Sequence, residues 1–81
     1  MNWTFPKIRF KKTELEQIEK VAEETEEFLL EKDSHLKDLE ALDVYHAAET
    51  LLRIRFEGRE DELDSLVQKV ITKNRVRGKY F

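Results

Sequence analysis

Two groups of acids carry the spacing that could do chemistry: Glu23, Glu24 and Glu27, and then, after twelve intervening residues, Glu40 and Asp43. Side chains three and four residues apart share one face of a helix, so each group can direct its carboxylates at one point in space. Oxygen ligands of this kind suit Mg²⁺ or Mn²⁺. The alternative is that both groups are ordinary solvated helix surface, and the surrounding sequence has to weigh the two.

The elements that must position these acids are legible as three helices. Residues 1 to 12 read as an irregular lead, because Pro6 and the alternation of Phe5, Ile8 and Phe10 build no helical stripe. Thr13 and Glu16 then match a capping box at a helix start. The first helix is predicted to run to about Glu31, with Leu15, Ile18, Ala22, Thr25 and Leu29 as its apolar stripe and Glu23, Glu24 and Glu27 turned away from the middle of it. Asp33 and Ser34 supply the next turn and cap. A second helix is expected from about His35 to Glu57, ended by Gly58 as a left-handed cap, and a third from about Arg59 to Asn74 with Leu63, Leu66, Val67, Val70 and Ile71 as its core face. Residues 75 to 81 form a basic tail.

On the second helix the acids stand in an unusual place. Glu40 and Asp43 interrupt the series Leu36, Ala47, Leu51 and Ile54, and the opposite side, with Leu39, Leu42, Val44, Ala48 and Leu52, is apolar as well. A helix apolar nearly all round is a central one. Carboxylates there are costly to bury without compensation, which asks either for a metal cation or for lysines and arginines in an ion-pair network.

Composition bounds the rest. The 81 residues, 41% charged and 40% apolar with two glycines and one proline, fit a single helical domain. With no cysteine, disulfides, thiolate metal sites and cysteine nucleophiles are excluded. No apolar run approaches the roughly 20 residues that span a membrane, and the opening Met-Asn-Trp-Thr-Phe-Pro-Lys lacks the apolar core of a signal peptide, so a cytoplasmic location is expected. The net charge of −3 conceals a segregation: four cations and no acid in residues 1 to 12, five cations and no acid in residues 69 to 81, and all eighteen acids between. Basic ends could grip a polyanion or could simply balance an acidic middle. Three helices with one strong apolar face each do not close a four-helix bundle, so a homodimer or homotetramer is expected to complete it.

The full pattern, Glu23-Glu24-x-x-Glu27 and then Glu40-x-x-Asp43, resembles the signature of the MazG-like all-α nucleoside triphosphate pyrophosphohydrolases, a superfamily that also holds dimeric dUTPases. The ending Lys73-Asn74-Arg75-Val76-Arg77-Gly78-Lys79-Tyr80 is similar to the basic, asparagine-containing tail of small phage-type members. The resemblance implies Mg²⁺, with Mn²⁺ as an alternative, held by Glu24, Glu27, Glu40 and Asp43, and a supporting role for Glu23. It also implies cleavage of a nucleoside triphosphate to the monophosphate and pyrophosphate, in the service of nucleotide-pool cleansing.

Under that expectation Lys73, Arg75, Arg77 and Lys79 are phosphate contacts, and Asn74 is either a sugar or phosphate contact or a helix cap. Trp3 could stack on a base or plug the core. His46, a turn beyond Asp43, could hydrogen-bond substrate or a carboxylate, or be a polar spacer. The chain is shorter than fuller family members, which leaves substrate choice open and favours completion of the pocket by a neighbouring subunit. The rival readings are a non-enzymatic helical interaction module with a basic tail and a nucleic-acid-binding protein. The eighteen middle acids and the lack of a nucleic-acid-binding motif speak against the latter.

Overall fold

In the computed structural model, which describes residues 1–81, the chain is all-helical: α1 spans Glu14–Leu30, α2 Ser34–Arg55 and α3 Glu60–Val76. Local cap chemistry sets most of these ends. The Glu16 amide donates to Thr13 Oγ1 (3.1 Å) and the Thr13 amide to Glu16 Oε1 (3.0 Å), the reciprocal capping box expected at the start of α1. Asp33 caps α2 by accepting from the Leu36 amide at 3.0 Å.

The C-terminal ends differ by a turn or less from expectation. Helix α2 stops at Arg55 rather than Glu57, and Gly58, at φ +75°, follows in the turn as the residue that tolerates the left-handed conformation. Helix α3 runs two residues past Asn74. It closes in a Schellman arrangement, in which the Gly78 amide donates to the Arg75 carbonyl and the Lys79 amide to the Asn74 carbonyl, both at 3.0 Å, with Gly78 at φ +71°. Asn74 thus takes part in the cap through its main-chain oxygen, one turn inside the helix.

Helices α1 and α2 form an antiparallel hairpin. Arg55 near the end of α2 pairs with Glu14 at the start of α1, Gln17 Nε2 donates to the Ala47 carbonyl at 2.9 Å, and Lys37 lies 4.9 Å from the Phe28 ring centre. The face that α1 turns inward is not the apolar stripe. Gln17 and Glu24 are its buried residues, whereas Leu15 (65% exposed), Ile18, Ala22 and Leu29 face outward. Helical periodicity groups residues onto faces but does not choose which face meets a neighbour; here the neighbour, α2, offers Glu40, Asp43, His46 and Thr50 on its side.

The lead is fastened to α2 by a buried charge. Glu49, 5% exposed, accepts the amides of Thr4 (3.0 Å) and Phe5 (2.7 Å). Arg53 donates to the Phe5 carbonyl at 2.6 Å and lies 4.7 Å from the centre of the Trp3 ring. Phe5 stacks on His46 at 4.5 Å and meets Tyr45 edge-on. Burial raises the Glu49 pKa, but the Phe5 and Thr4 amides and Arg53 outweigh it and hold the carboxyl below its ordinary value.

Helix α3 contributes Leu63 to the interior and an ion pair between Asp64 and the N-terminal ammonium (3.3 Å), while Leu66 and Val70 stay exposed. Only Ala47 and Leu63 among apolar residues are buried, and the radius of gyration, 14.6 Å, exceeds the roughly 12 Å of a compact domain of this length. A single chain therefore leaves the apolar faces of α1 and α3, and Leu39 and Leu42 of α2, open.

The lead should depend on the Glu49 charge. A depressed folded pKa contributes stability that is present above the ordinary glutamate value of about 4.3 and is lost as pH falls through the folded value. Trp3 fluorescence is therefore expected to shift red on acidification, and Glu49→Gln to lose that acid transition and at least about 2 kcal/mol of stability at pH 7. An unchanged transition in the variant would show that the lead is held otherwise.

Candidate metal centre

The two acidic groups do meet. Glu24 from α1 and Glu40 and Asp43 from α2 bring one carboxylate oxygen each within 4.8 Å of one another. The antiparallel crossing makes this possible, because it sets the middle of α1 against the first half of α2. Glu24 is buried, Glu40 half-buried and Asp43 exposed, so the cluster sits at the mouth of the interhelical seam with one side open.

The remaining predicted ligands lie around this set. Glu27 stands outside the tight group but close enough that the charge of Glu24, with burial and Glu40 behind it, pushes its carboxyl above the ordinary value. Glu40 is raised chiefly by desolvation, then by Asp43 and Glu24. Glu23 is exposed and ion-paired with Lys20 at 3.5 Å. Lys20 also reaches Glu24 Oε1 at 2.9 Å, and this contact, foremost among its causes, raises the lysine pKa.

One lysine does not satisfy the seam. Glu24 Oε2 and Glu40 Oε2 are buried without a hydrogen-bond partner, and so are His46 Nε2 and Gln17 Oε1. Buried polar atoms are nearly always paired, and each orphan costs about 1–3 kcal/mol. A small cavity of about 120 Å³ opens on Gln17, Lys20, Glu24, Asp43 and His46, with Lys12 of the lead at its edge. The donor set fits a hard divalent cation. Three carboxylate oxygens gathered within 4.8 Å of one another are of the hard type that Mg²⁺ takes, and the surplus of unpaired acceptors is what such an ion would relieve.

Substrate-binding candidates divide by position. His46 lines the cavity, and Trp3 lines a second, larger one beside it. The candidates Lys73, Asn74, Arg75, Arg77 and Lys79 occupy the last turns of α3 and the residues after it, and none lines either cavity. Sequence reasoning passed over three residues that line this cavity: Lys12, Gln17 and Lys20. A signal existed for two of them, since Gln17 and Lys20 precede Glu24 by seven and four residues and so share its face.

No family model matches the chain, and neither a curated protein nor a solved structure does.

The strained carboxyls give a pH signature. Because the folded pKa of Glu40 lies above its unfolded value, the folded state binds the proton more tightly. Its contribution to stability is best below the ordinary glutamate value and declines as pH rises through the raised one. In metal-free buffer, Glu40→Gln is expected to raise the melting temperature at pH 7 and to flatten this decline. A variant less stable than the intact protein at pH 7 would contradict the charge repulsion inferred here.

Proposed function

We propose that this protein is a Mg²⁺-dependent nucleotide pyrophosphohydrolase, with Mn²⁺ able to substitute, cleaving a nucleoside triphosphate between the α and β phosphates. The observation that carries the reading is the convergence of Glu24, Glu40 and Asp43 within 4.8 Å, with two buried carboxylate oxygens left unpartnered. The MazG-like pattern of acids supports the same chemistry, and nucleotide-pool cleansing is the role it suggests.

When bound, the cation would neutralise phosphate oxygens and acidify a water molecule. The chain's own part is positional. Glu24, Glu40 and Asp43 would hold the ion at the mouth of the seam, and Glu23 would keep Lys20 in place beside Glu24. Glu27, one turn from Glu24 on the same helix face, would take the proton of the attacking water. His46, which lines the cavity and whose Nε2 has no partner, would hydrogen-bond that water or a phosphate oxygen. Water attacks the α phosphorus in line, the P–O bond to the β phosphate breaks, and pyrophosphate leaves with the electron pair.

The open apolar faces support assembly as a homodimer or homotetramer, which would cover Leu15 and Leu29 and close a four-helix arrangement. They also favour the second reading, a helical interaction module without catalysis, since a partner protein could cover the same faces.

Pyrophosphate release from a panel of canonical and modified NTPs and dNTPs with Mg²⁺ separates the two. Asp43→Ala and Glu27→Ala are each expected to lower kcat/KM by at least about 100-fold. Light scattering on the same sample should give a multiple of the 9.8 kDa chain. Hydrolysis that survives Asp43→Ala would sink the site assignment. A protein inert towards every nucleotide would leave the interaction module as the better reading, and a 9.8 kDa particle would contradict assembly.

A further inference from the structure

The lead does more than cover α2. Together with the second half of that helix and the start of α3 it walls a groove of about 600 Å³, in the range of small-molecule sites. Five cationic side chains line it, Lys7, Arg9, Lys11, Lys12 and Arg53, against two carboxylates, Glu57 and Glu60. All four cationic side chains that the sequence places at residues 1 to 12 are thus gathered on one concave surface. Glu49 enforces this by pinning the Thr4 and Phe5 amides, so the lysines that follow are held beside α2.

The groove adjoins the carboxylate cavity. Ile8, Lys12 and Thr50 line both, so Lys12 belongs to the wall they share, with Glu24, Asp43 and His46 lining the cavity and the basic side chains the groove. An acidic pocket set beside a cationic trough suits a ligand whose anionic chain is several charges long, with one end needing a metal and the remainder needing ammonium and guanidinium groups.

Resting on the reading of the carboxylate cluster as a nucleotide-hydrolysing site, we propose that this groove is the polyphosphate subsite. The α phosphate stands at the cluster, Lys12 bridges to the next phosphate, and Lys7, Arg9 and Lys11 receive the rest, so that the leaving pyrophosphate departs through the groove. The lead, and not the C-terminal tail of the same chain, supplies the phosphate grip.

Inorganic tripolyphosphate, titrated calorimetrically without divalent metal, reads the groove separately from hydrolysis. The intact protein is expected to bind it, and Lys11→Ala/Lys12→Ala to bind about tenfold more weakly or worse while keeping its helical circular dichroism. Arg75→Ala/Arg77→Ala should stay within about twofold of the intact protein. Asp43→Asn should bind at least as tightly, because a repelling charge has gone; this result would stand even if the protein hydrolysed nothing. The proposal is overturned by an absence of tripolyphosphate binding, by an equal loss in the tail variant, or by single-stranded DNA binding more tightly than tripolyphosphate.

Discussion

Carboxylates occupy the place in this fold where a helical hairpin ordinarily puts leucines. Glu24 faces Glu40 and Asp43 across the α1–α2 seam, and a single lysine offsets them. Like charges this close repel strongly in a partly dehydrated setting, so the seam is stable only with a counter-charge or with protons taken up by the acids. The rest of the molecule follows from that constraint. The hairpin holds together at its ends and flanks, through Gln17 on Ala47, Arg55 on Glu14 and Lys37 over Phe28, while its centre stays polar. Apolar residues displaced from the seam lie on the outside, at Leu15, Ile18 and Leu29, where only another protein surface can cover them.

A second buried acid has the opposite character. Glu49 is as deeply enclosed as any residue of α2, yet two amides and Arg53 satisfy it completely enough to lower its pKa. Glu49 and Glu40, nine residues apart on one helix, contrast in how their charges are met. One carboxylate has every partner it needs and builds the fold by holding the lead. The other has an unpartnered oxygen and, through desolvation and the neighbouring Asp43 and Glu24, a raised pKa, the condition of a carboxylate whose charge is left uncompensated. Through Glu49 the lead becomes a wall shared by the acidic cavity and the basic groove.

Helix ends were legible because their causes are local. Thr13 with Glu16, Asp33 and Gly58 each act within a few residues, and the observed boundaries fall within about two residues of those expected. The pairing of Glu40 with Asp43 was legible too, since spacing alone puts them on one face. Orientation was not. The apolar stripe of α1 promised a core face, but Glu24 and Gln17 took the inside, a choice that depends on what α2 presents and not on the period of α1. Nor could charge alone say which basic end would reach the acids. That outcome rests on contacts between Glu49 and residues about 45 positions away, which leave no trace in local sequence. The tail ended instead in a helix cap, for which Gly78 was the available clue.

Titration with Mn²⁺, followed by the loss of its free electron paramagnetic resonance signal, tests the central claim most directly, since it needs neither substrate nor catalysis. The account predicts saturable binding by the intact protein, weakened at least about 10-fold by Glu24→Gln and by Asp43→Asn separately, with Glu49→Gln retaining measurable affinity. Absence of binding, or binding indifferent to both seam substitutions, would contradict it.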